Sequence, residues 1–303
     1  MIEQEQHKEQ NSSTQKSWFD RYYKILFIIP IIVLLISLIY LGFFYSAHGD
    51  FILKDSSLSG GTTITLQAKN IPENFEFSLK SQFPDVSIRK LTDIATDNPT
   101  SYIIETLLKP EEVKPEIEKI LNYKLTEENS NIEFTGPSLS QSFYKQLIIA
   151  LVISFILMSI VIFVLFKSFI PSTAVIFAAF ADIIMPLALI DFLGIRLSAA
   201  GIAAFLMLVG YSVDTDILLT SRALKRKAGT LNQRIFGAFK TGIFMTITAL
   251  AAVLPAFFIV SGLPDSFRQI FFILALGLSA DIINTWMTNA GIIKWYCDRK
   301  GIK

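Results

Sequence analysis

Acidic side chains inside apolar runs are the residues of this sequence whose position most directly suggests chemistry. The clearest stretch is Gly210-Tyr211-Ser212-Val213-Asp214-Thr215-Asp216, which lies within the apolar run 197–220 and is followed by Arg222. About 20 apolar residues are enough to cross the roughly 30 Å of a bilayer. If Arg222 marks the water boundary, a rise of about 1.5 Å per residue places Asp214 roughly 12 Å inside it.

An acid at that depth is costly on insertion scales, so a functional role is the first interpretation of Asp214. A carboxyl group that alternates between apolar and wet surroundings takes up and releases a proton, which is the physical basis of ion coupling. We therefore hypothesise that Asp214 is the main coupling acid. The open alternative is an acid that is hydrogen-bonded between helices for packing only. Asp216 is a second candidate for ion coupling, with structural hydrogen bonding again as the alternative. It points roughly 200° away at about 100° per residue, so the two acids cannot share a helix face.

Three more ionisable groups lie in the apolar runs and are further candidates for ion coupling. Asp182 lies four residues before Pro186, whose missing N–H leaves a carbonyl oxygen free nearby. Asp281 lies three residues before Asn284 and therefore shares its helix face. Lys240 lies near the beginning of its run, where its side chain can reach water. Structural hydrogen bonding remains the alternative for both acids, and interfacial anchoring remains the alternative for Lys240.

Long apolar helices must position these groups. Of all residues 52% are hydrophobic and 17% are charged, and the apolar residues fall in long blocks, which is typical of a polytopic membrane protein. We predict one transmembrane helix at 18–45 and five more within 144–293, at about 145–166, 170–190, 197–220, 235–260 and 267–293. We predict a disordered cytoplasmic tail over 1–17 and a short cytoplasmic tail over 294–303.

The segment 46–143 differs from the apolar runs, because it is polar, charged and broken by turn residues. Alternating patterns predict strands at 61–67, 86–91, 101–107 and 131–135. Pro72 and Pro110 are each followed by acidic residues and predict helices that end near residues 82 and 121. The order β-α-β-β-α-β predicts a small ferredoxin-like α+β domain between the first two membrane helices.

The distribution of basic residues predicts the orientation. They concentrate before the first helix, at Lys167, in the loop 221–234 and in the C-terminal tail, and with six spans these segments lie on one side. By the positive-inside rule that side is cytoplasmic, so we predict a multi-pass protein of the cytoplasmic membrane with both termini in the cytoplasm and an extracytoplasmic domain. Orientation explains the basic loop better than nucleic-acid binding does, so we predict no nucleic-acid partner.

Signals for other kinds of chemistry are missing from the sequence. The single Cys297 permits no intrachain disulfide, and His7 and His48 lie outside the predicted spans. There is no phosphate-binding loop, nucleophile elbow or Cys/His metal spacing. We therefore predict a protein that is not an enzyme and that has no catalytic residues, no cofactor and no metal.

Three motifs and the topology carry a family resemblance. Gly60-Gly61-Thr62 follows the first helix, Gly136-Pro137 precedes the second, and Gly210-Tyr211-Ser212 lies in the fourth, with Arg222 beyond it. In this order they resemble the SecF family of protein-export membrane proteins, within the resistance-nodulation-division (RND) superfamily. The form Val213-Asp214-Thr215-Asp216 is similar to the archaeal version of the helix-four motif.

The resemblance implies an accessory subunit of the Sec protein translocase. Such a subunit would act with SecD and the Sec translocation channel on exported polypeptides, surrounded by membrane lipid and driven by the proton gradient. Two other functions stay open: a stand-alone exporter of small molecules or lipids from the same superfamily, and a non-catalytic translocase scaffold whose acids are structural. Such exporters usually resemble two of these units in one chain, and a scaffold should tolerate Asp214→Asn.

Overall fold

The structure is a computed structural model of the 303-residue chain. It describes residues 18–68, 71–72, 74–84, 86–92, 99–226, 229–259 and 265–302. The predicted disordered tail over 1–17 lies outside the described residues.

The first half of the chain forms one membrane helix and a small α+β domain. Helix α1 (Trp18–Leu26) passes through Phe27 into α2 (Ile28–His48). The domain contains, in chain order, α3 (Ser56–Ser59), β1 (Gly61–Gln67), α4 (Phe75–Gln82), β2 (Ser87–Thr92), β3 (Pro99–Thr106), α5 (Pro110–Leu121) and β4 (Ser130–Thr135). The sequence predicts that helix α4 begins at Pro72, but it begins three residues later. The Phe75 N–H donates to the Pro72 carbonyl oxygen at 3.0 Å and so forms a turn before the helix.

The four strands form one antiparallel sheet in the order β2-β3-β1-β4, as expected for the ferredoxin-like arrangement. In the central pair, Ile64 of β1 lies opposite Ile104 of β3. Alternate residues of a strand point to opposite faces, so Ile64 and Leu66 are buried while Thr63 and Thr65 are half-buried on the other face. The core under helices α4 and α5 also contains Phe75, Leu79, Tyr102, Val113, Ile117 and Leu121.

The second half of the chain supplies five more spans. These are α6 (Pro137–Phe166), α7 (Phe169–Phe192), α8 (Ala199–Lys225), α9 (Leu231–Ile259) and α10 (Asp265–Ile283), which continues through a π-helical segment (Asn284–Asn289) into α11 (Ala290–Lys300). Helix α6 begins inside the segment 46–143, with Pro137 at its first position, where a missing N–H breaks no hydrogen bond. Among the described residues six helices are long and apolar enough to cross a membrane, which confirms the predicted polytopic fold.

The spans are buried to very different extents. In the most apolar window of α7 and of α8, 56% of the residues are buried, against 6% in α6 and 11% in α9. Helices α7, α8 and α10 therefore form the centre of the bundle. Helices α6 and α9 present apolar side chains outward, where lipid or another membrane protein can contact them.

The domain is attached to the loop between α7 and α8. The Leu197 N–H donates to the Leu53 carbonyl oxygen at 2.6 Å, and the Asp55 N–H donates to the Leu197 carbonyl oxygen at 3.1 Å. Next to this bridge, Arg196 Nη1 lies 3.2 Å from Oε2 of the buried Glu105 on β3. These contacts join the root of the domain to the beginning of α8.

We predict that Gly61→Ala lowers the stability of the domain. Gly61 has a φ of 125°, and an added Cβ would overlap the Thr106 carbonyl oxygen. Such a strained backbone costs on the order of 1–3 kcal/mol. The melting temperature of the purified protein in detergent should therefore fall. Gly42→Ala is the control, because a Cβ at Gly42 in α2 meets no atom within 4 Å. Equal melting temperatures for the two variants would contradict the prediction.

Candidate functional site

Three acidic side chains from three helices lie in one polar layer inside the bundle. Asp182 of α7 and Asp216 of α8 are 0% exposed, and Asp281 of α10 is 1% exposed. All three lie well inside their spans, between long apolar stretches of the same helices. Each is held by hydroxyl or amide side chains from neighbouring helices, so the layer crosses the centre of the bundle.

Asp182 is bonded to one side chain from each of two helices. The Ser212 hydroxyl of α8 donates to Oδ2, and Asn284 Nδ2 of the π-helical segment donates to Oδ1 at 2.6 Å. Helix α7 continues through Pro186, although the proline ring removes one backbone N–H donor from the helix. The motif residue Ser212 thus contributes directly to the acid layer.

Asp281 and Asp216 are connected through the Thr285 hydroxyl, and Asp281 also contacts the Thr215 hydroxyl. Thr215 Oγ1 lies 2.9 Å from Asp281 Oδ1, and Thr285 Oγ1 also lies 2.9 Å from that oxygen. The same Thr285 oxygen lies 2.9 Å from Asp216 Oδ1, which also accepts from Asn289 Nδ2 at 2.6 Å. One hydroxyl therefore bridges the two carboxyl groups.

Within the part of the chain that the structure describes, no basic side chain forms an ion pair with these acids. Arg222 points to α9 instead, where its Nη1 donates to the Gly237 carbonyl oxygen at 2.6 Å and to Thr241 Oγ1 at 3.0 Å. The exposed Lys240 lies with its Nζ 5.1 Å from the centre of the Phe236 ring. Neither cation offsets the charge of the acid layer by direct contact.

Asp214 lies apart from the other three acids, on an exposed face of α8. That face also carries Met207, Gly210 and Tyr211, and Met207 and Tyr211 are 47% and 53% exposed. These positions follow the helical spacing i, i+3, i+4 and i+7, so they form one stripe. Gly210 makes no close helix contact with the described residues, because a Cβ added to it meets none of their atoms within 4 Å.

The π-helical segment supplies three of the polar partners, Asn284, Thr285 and Asn289. The roles of Thr215, Thr285 and Asn289 did not emerge from the sequence analysis. A signal was present, since Asp281, Asn284, Thr285, Thr288 and Asn289 place five polar residues within nine positions of an otherwise apolar run. Only the packed helices show that these side chains meet acids from α7 and α8.

The two outer motifs contact each other at the root of the domain. A Cβ on Gly60 would lie 2.5 Å from the Pro137 Cα, so Gly60 permits the close approach of the chain that leads from Gly136 into α6. The Thr62 hydroxyl donates to the Leu108 carbonyl oxygen at 2.6 Å. Both motifs therefore shape the junction between the domain and the membrane helices.

A further buried acid, Asp55, lies at this junction. Asp55 caps helix α3, where its Oδ1 accepts from the Ser57 N–H at 2.9 Å, from the Ser57 hydroxyl at 2.6 Å and from the Leu58 N–H at 3.3 Å. Burial, together with the nearby negative charge of Glu105, raises the pKa of Asp55 to about 7, although the hydrogen bonds oppose this shift.

The comparisons with known proteins agree with this geometry. The family described as "Protein export membrane protein SecD/SecF, C-terminal" matches residues 116–299. The chain is 37% identical to the protein-export membrane protein SecF of Methanocaldococcus jannaschii over 283 residues, which are 90% of this chain and 95% of that protein. It is also 37% identical to SecF of Methanolacinia petrolearia over 275 residues, with 90% and 93% of the two chains covered.

The chain belongs to the SecF family of protein-export membrane proteins. Members of the SecF family are membrane subunits with an accessory role in Sec-dependent protein export. The prediction of a SecF-type protein of the archaeal kind is confirmed, since relatives from several archaea match most of the chain.

Solved structures of SecDF share the SecF fold seen here. The crystal structure of SecDF, a translocon-associated membrane protein from Thermus thermophilus, matches with a TM-score of 0.71 at 16% identity. A structure of SecDF in its super-membrane-facing form matches with a TM-score of 0.56 at 18% identity. The matches cover 93% and 92% of this chain but 39% of each SecDF chain.

We predict that Asp55 makes the stability of the protein depend on pH. Its pKa of about 7 in the folded state lies above the ordinary value of 3.8, so the folded chain keeps a proton that the unfolded chain releases. The stabilisation is complete below the ordinary pKa and is lost as the pH rises through 7, by at most about 1.4 kcal/mol per pH unit. Asp55→Asn keeps a capping oxygen but does not titrate, so its melting temperature should fall less between pH 5 and 8. The same fall in both proteins would contradict this role.

Proposed function

We propose that this chain acts with SecD as an accessory unit of the Sec translocase in the cytoplasmic membrane, and that the proton gradient drives its action. Exported polypeptides at the Sec translocation channel are its clients. The proposal rests on membership of the SecF family, on the exposed polar stripe of α8 and on the acid layer behind it.

The observation that carries the proposal is the stripe formed by Met207, Gly210, Tyr211 and Asp214 on the exposed face of α8. Helix α8 lies at the centre of the bundle, yet no described residue of the chain covers this face. A carboxyl group exposed to hydrocarbon is costly, so a protein or a wet cavity must cover it in the membrane. Gly210 lacks a side chain, which allows the backbone of a partner helix to approach closely.

SecD is the partner that suits this stripe. This chain covers 39% of the solved chain of SecDF, a translocon-associated membrane protein. In the proposed complex a SecD subunit covers this face of α8. The remaining exposed apolar surfaces, on α6 and α9, would contact membrane lipid.

In this complex Asp214 is the main coupling acid, at the boundary with SecD, and Asp182, Asp216 and Asp281 support it from inside the bundle. A carboxyl group at such a boundary passes between apolar and wet surroundings as the two subunits move, and so takes up and releases a proton. Lys240 lies exposed near the beginning of α9 and anchors that end at the cytoplasmic surface.

Helix α8 also provides a route from the acids to the domain. At its beginning the Ser198 side chain caps the helix by accepting from the Gly201 N–H at 3.0 Å, next to Leu197 and its bridge to Leu53 and Asp55. A change in the position of α8 that follows protonation would therefore reach the root of the domain directly. The domain would act on the exported polypeptide on the extracytoplasmic side.

The orientation follows from the basic ends of the helices, which we assign to the cytoplasm together with both termini. At these ends Lys294 Nζ lies 3.0 Å from Asp20 Oδ1 and 2.8 Å from Asp298 Oδ1. Asn232 Nδ2 donates to Asp20 at 2.8 Å. These contacts join α1, α9 and α11 at one surface, opposite the domain.

We predict that the Asp214→Asn variant still binds SecD but no longer couples export to the proton gradient. The amide has the size of the acid but does not titrate, so ion-dependent export should fall at least about tenfold, a modest loss for a missing proton-transfer group. The measurement is export by inside-out vesicles with and without a proton gradient. The variant should still purify together with SecD from mild detergent.

The same pair of measurements separates the alternatives. Full ion-dependent export by Asp214→Asn would leave a scaffold role only. Recovery of the tagged wild-type chain with no SecD, or only with further copies of itself, would contradict the SecD complex and favour a stand-alone exporter. Tyr211→Phe serves as the control, since it keeps the ring on the same stripe and changes no titrating acid within the membrane.

A further inference from the structure

We propose that the Thr285 hydroxyl relays a single exchangeable proton between Asp281 and Asp216 inside the bundle. This inference deepens the ion coupling proposed above and rests on it for its role in export. The site is distinct from Asp214, which lies on the other face of α8. It consists of two carboxyl groups from α8 and α10 and one hydroxyl from the π-helical segment.

The count of hydrogen atoms is the first argument. Thr285 Oγ1 lies 2.9 Å from both Asp216 Oδ1 and Asp281 Oδ1, but a hydroxyl has one hydrogen to donate. Thr215 also has one hydroxyl hydrogen for two acceptors, because its Oγ1 lies 2.9 Å from the Ser212 carbonyl oxygen and 2.9 Å from Asp281 Oδ1. Two hydroxyl hydrogens thus face four oxygen–oxygen contacts, and a proton on Asp281 Oδ1 would supply the hydrogen that its contact with Thr285 lacks.

Unpartnered oxygens in the same layer are a second, independent sign of this shortage. Asp216 Oδ2 and Asn289 Oδ1 are buried and accept no hydrogen bond from any described residue, although both side chains are 0% exposed. A buried acceptor without a donor is rare and calls for an explanation. The acid layer therefore holds more buried acceptor oxygens than donor hydrogens, as the contacts of Thr285 also show.

The charges around the pair point the same way. Among the described residues, the groups that face it are the Asp182 carboxyl from α7, the Thr215 and Thr246 hydroxyls from α8 and α9, and the Asn289 amide from the π-helical segment. None of them is basic. Two buried carboxylates without a counter-ion would repel each other at a large energetic cost, so the pair shares at least one proton.

The transfer step conserves atoms and charge. With the proton on Asp281 Oδ1, that oxygen donates to Thr285 Oγ1 while Thr285 donates to Asp216 Oδ1. When Asp281 releases its proton to the Thr285 oxygen, the original hydroxyl hydrogen passes to Asp216. One proton has then moved from α10 to α8, the negative charge has moved from Asp216 to Asp281, and the hydroxyl is regenerated.

The local backbone places the hydroxyl between the acids. Thr285 and Asn289 lie in the π-helical segment, and the Ala290 N–H bonds to the Thr285 carbonyl oxygen, five residues back. Such turns are rare and often occur at functional sites. The wider turn brings Thr285 to both carboxyl groups and Asn289 to Asp216.

The contacts favour a proton over a sodium ion. Oxygen and nitrogen atoms around Asp216 Oδ1 lie at 2.6 and 2.9 Å, which are ordinary hydrogen-bond lengths. A metal ion requires several oxygens that converge on one centre, and among the described residues no three acidic, cysteine or histidine side chains are grouped so that they could hold one.

The test is infrared spectroscopy of the purified full-length protein in detergent, with the exchange of its protonated carboxyl groups followed in D₂O. Thr285→Val removes the hydroxyl and keeps the shape, so we expect carboxyl exchange to slow by at least about tenfold, which is about 1.4 kcal/mol of barrier. Thr285→Ser restores a hydroxyl and should exchange at nearly the wild-type rate. Thr288→Val is the matched control, because Thr288 is buried in the same segment and its hydroxyl has no partner among the described residues.

Exchange in Thr285→Val at the wild-type rate would overturn the relay. Loss of the protonated carboxyl band on addition of Na⁺ at constant pH would also overturn it, in favour of a sodium site. If carboxyl exchange is slow in Thr285→Val and equally slow in Thr285→Ser, the role of Thr285 is structural only, which would also overturn the relay. None of these results depends on SecD or on export, so failure of the relay and failure of the proposed function are distinguishable.

Discussion

Burial of three carboxyl groups among apolar helices is the constraint on which the rest of the bundle depends. In hydrocarbon every polar group needs a partner from the protein, because water does not provide one. Asp182 of α7, Asp216 of α8 and Asp281 of α10 obtain theirs from hydroxyl and amide groups on α8 and the π-helical segment. Those helices must therefore pack closely, which explains why they are the buried ones while α6 and α9 remain exposed.

Helix α8 unites the features that matter for function. Its beginning is bridged to the root of the domain through Leu197, its inner face carries Asp216 and Thr215, and its outer face carries Asp214. A change of protonation on either face acts on the same rigid helix. The two sets of acids need no direct contact, since both can bias the position of α8.

Much of this architecture was predictable from local patterns. The bounds of α5 were predicted correctly, because Pro110, the acids after it and the apolar spacing are all local signals. The opposite directions of Asp214 and Asp216 also follow from helix geometry. Helix geometry does not predict which of the two acids faces the interior, because that depends on the polar residues that α7 and α10 present. The contacts of Thr285 and Asn289 with the acids were harder still to predict, since a π-helical turn changes which residues share a helix face.

The most direct test of the account is site-specific cross-linking from the outer face of α8. A photoreactive group attached to Tyr211→Cys in the membrane should form an adduct with SecD, whereas the same group at Ile160→Cys, on the exposed α6, should label lipid. Native Cys297 is buried, so it adds little background. An adduct with SecD at residue 211 alone is the result that the account predicts. Lipid labelling at both positions would show that the stripe around Asp214 is not covered by SecD, and would contradict it.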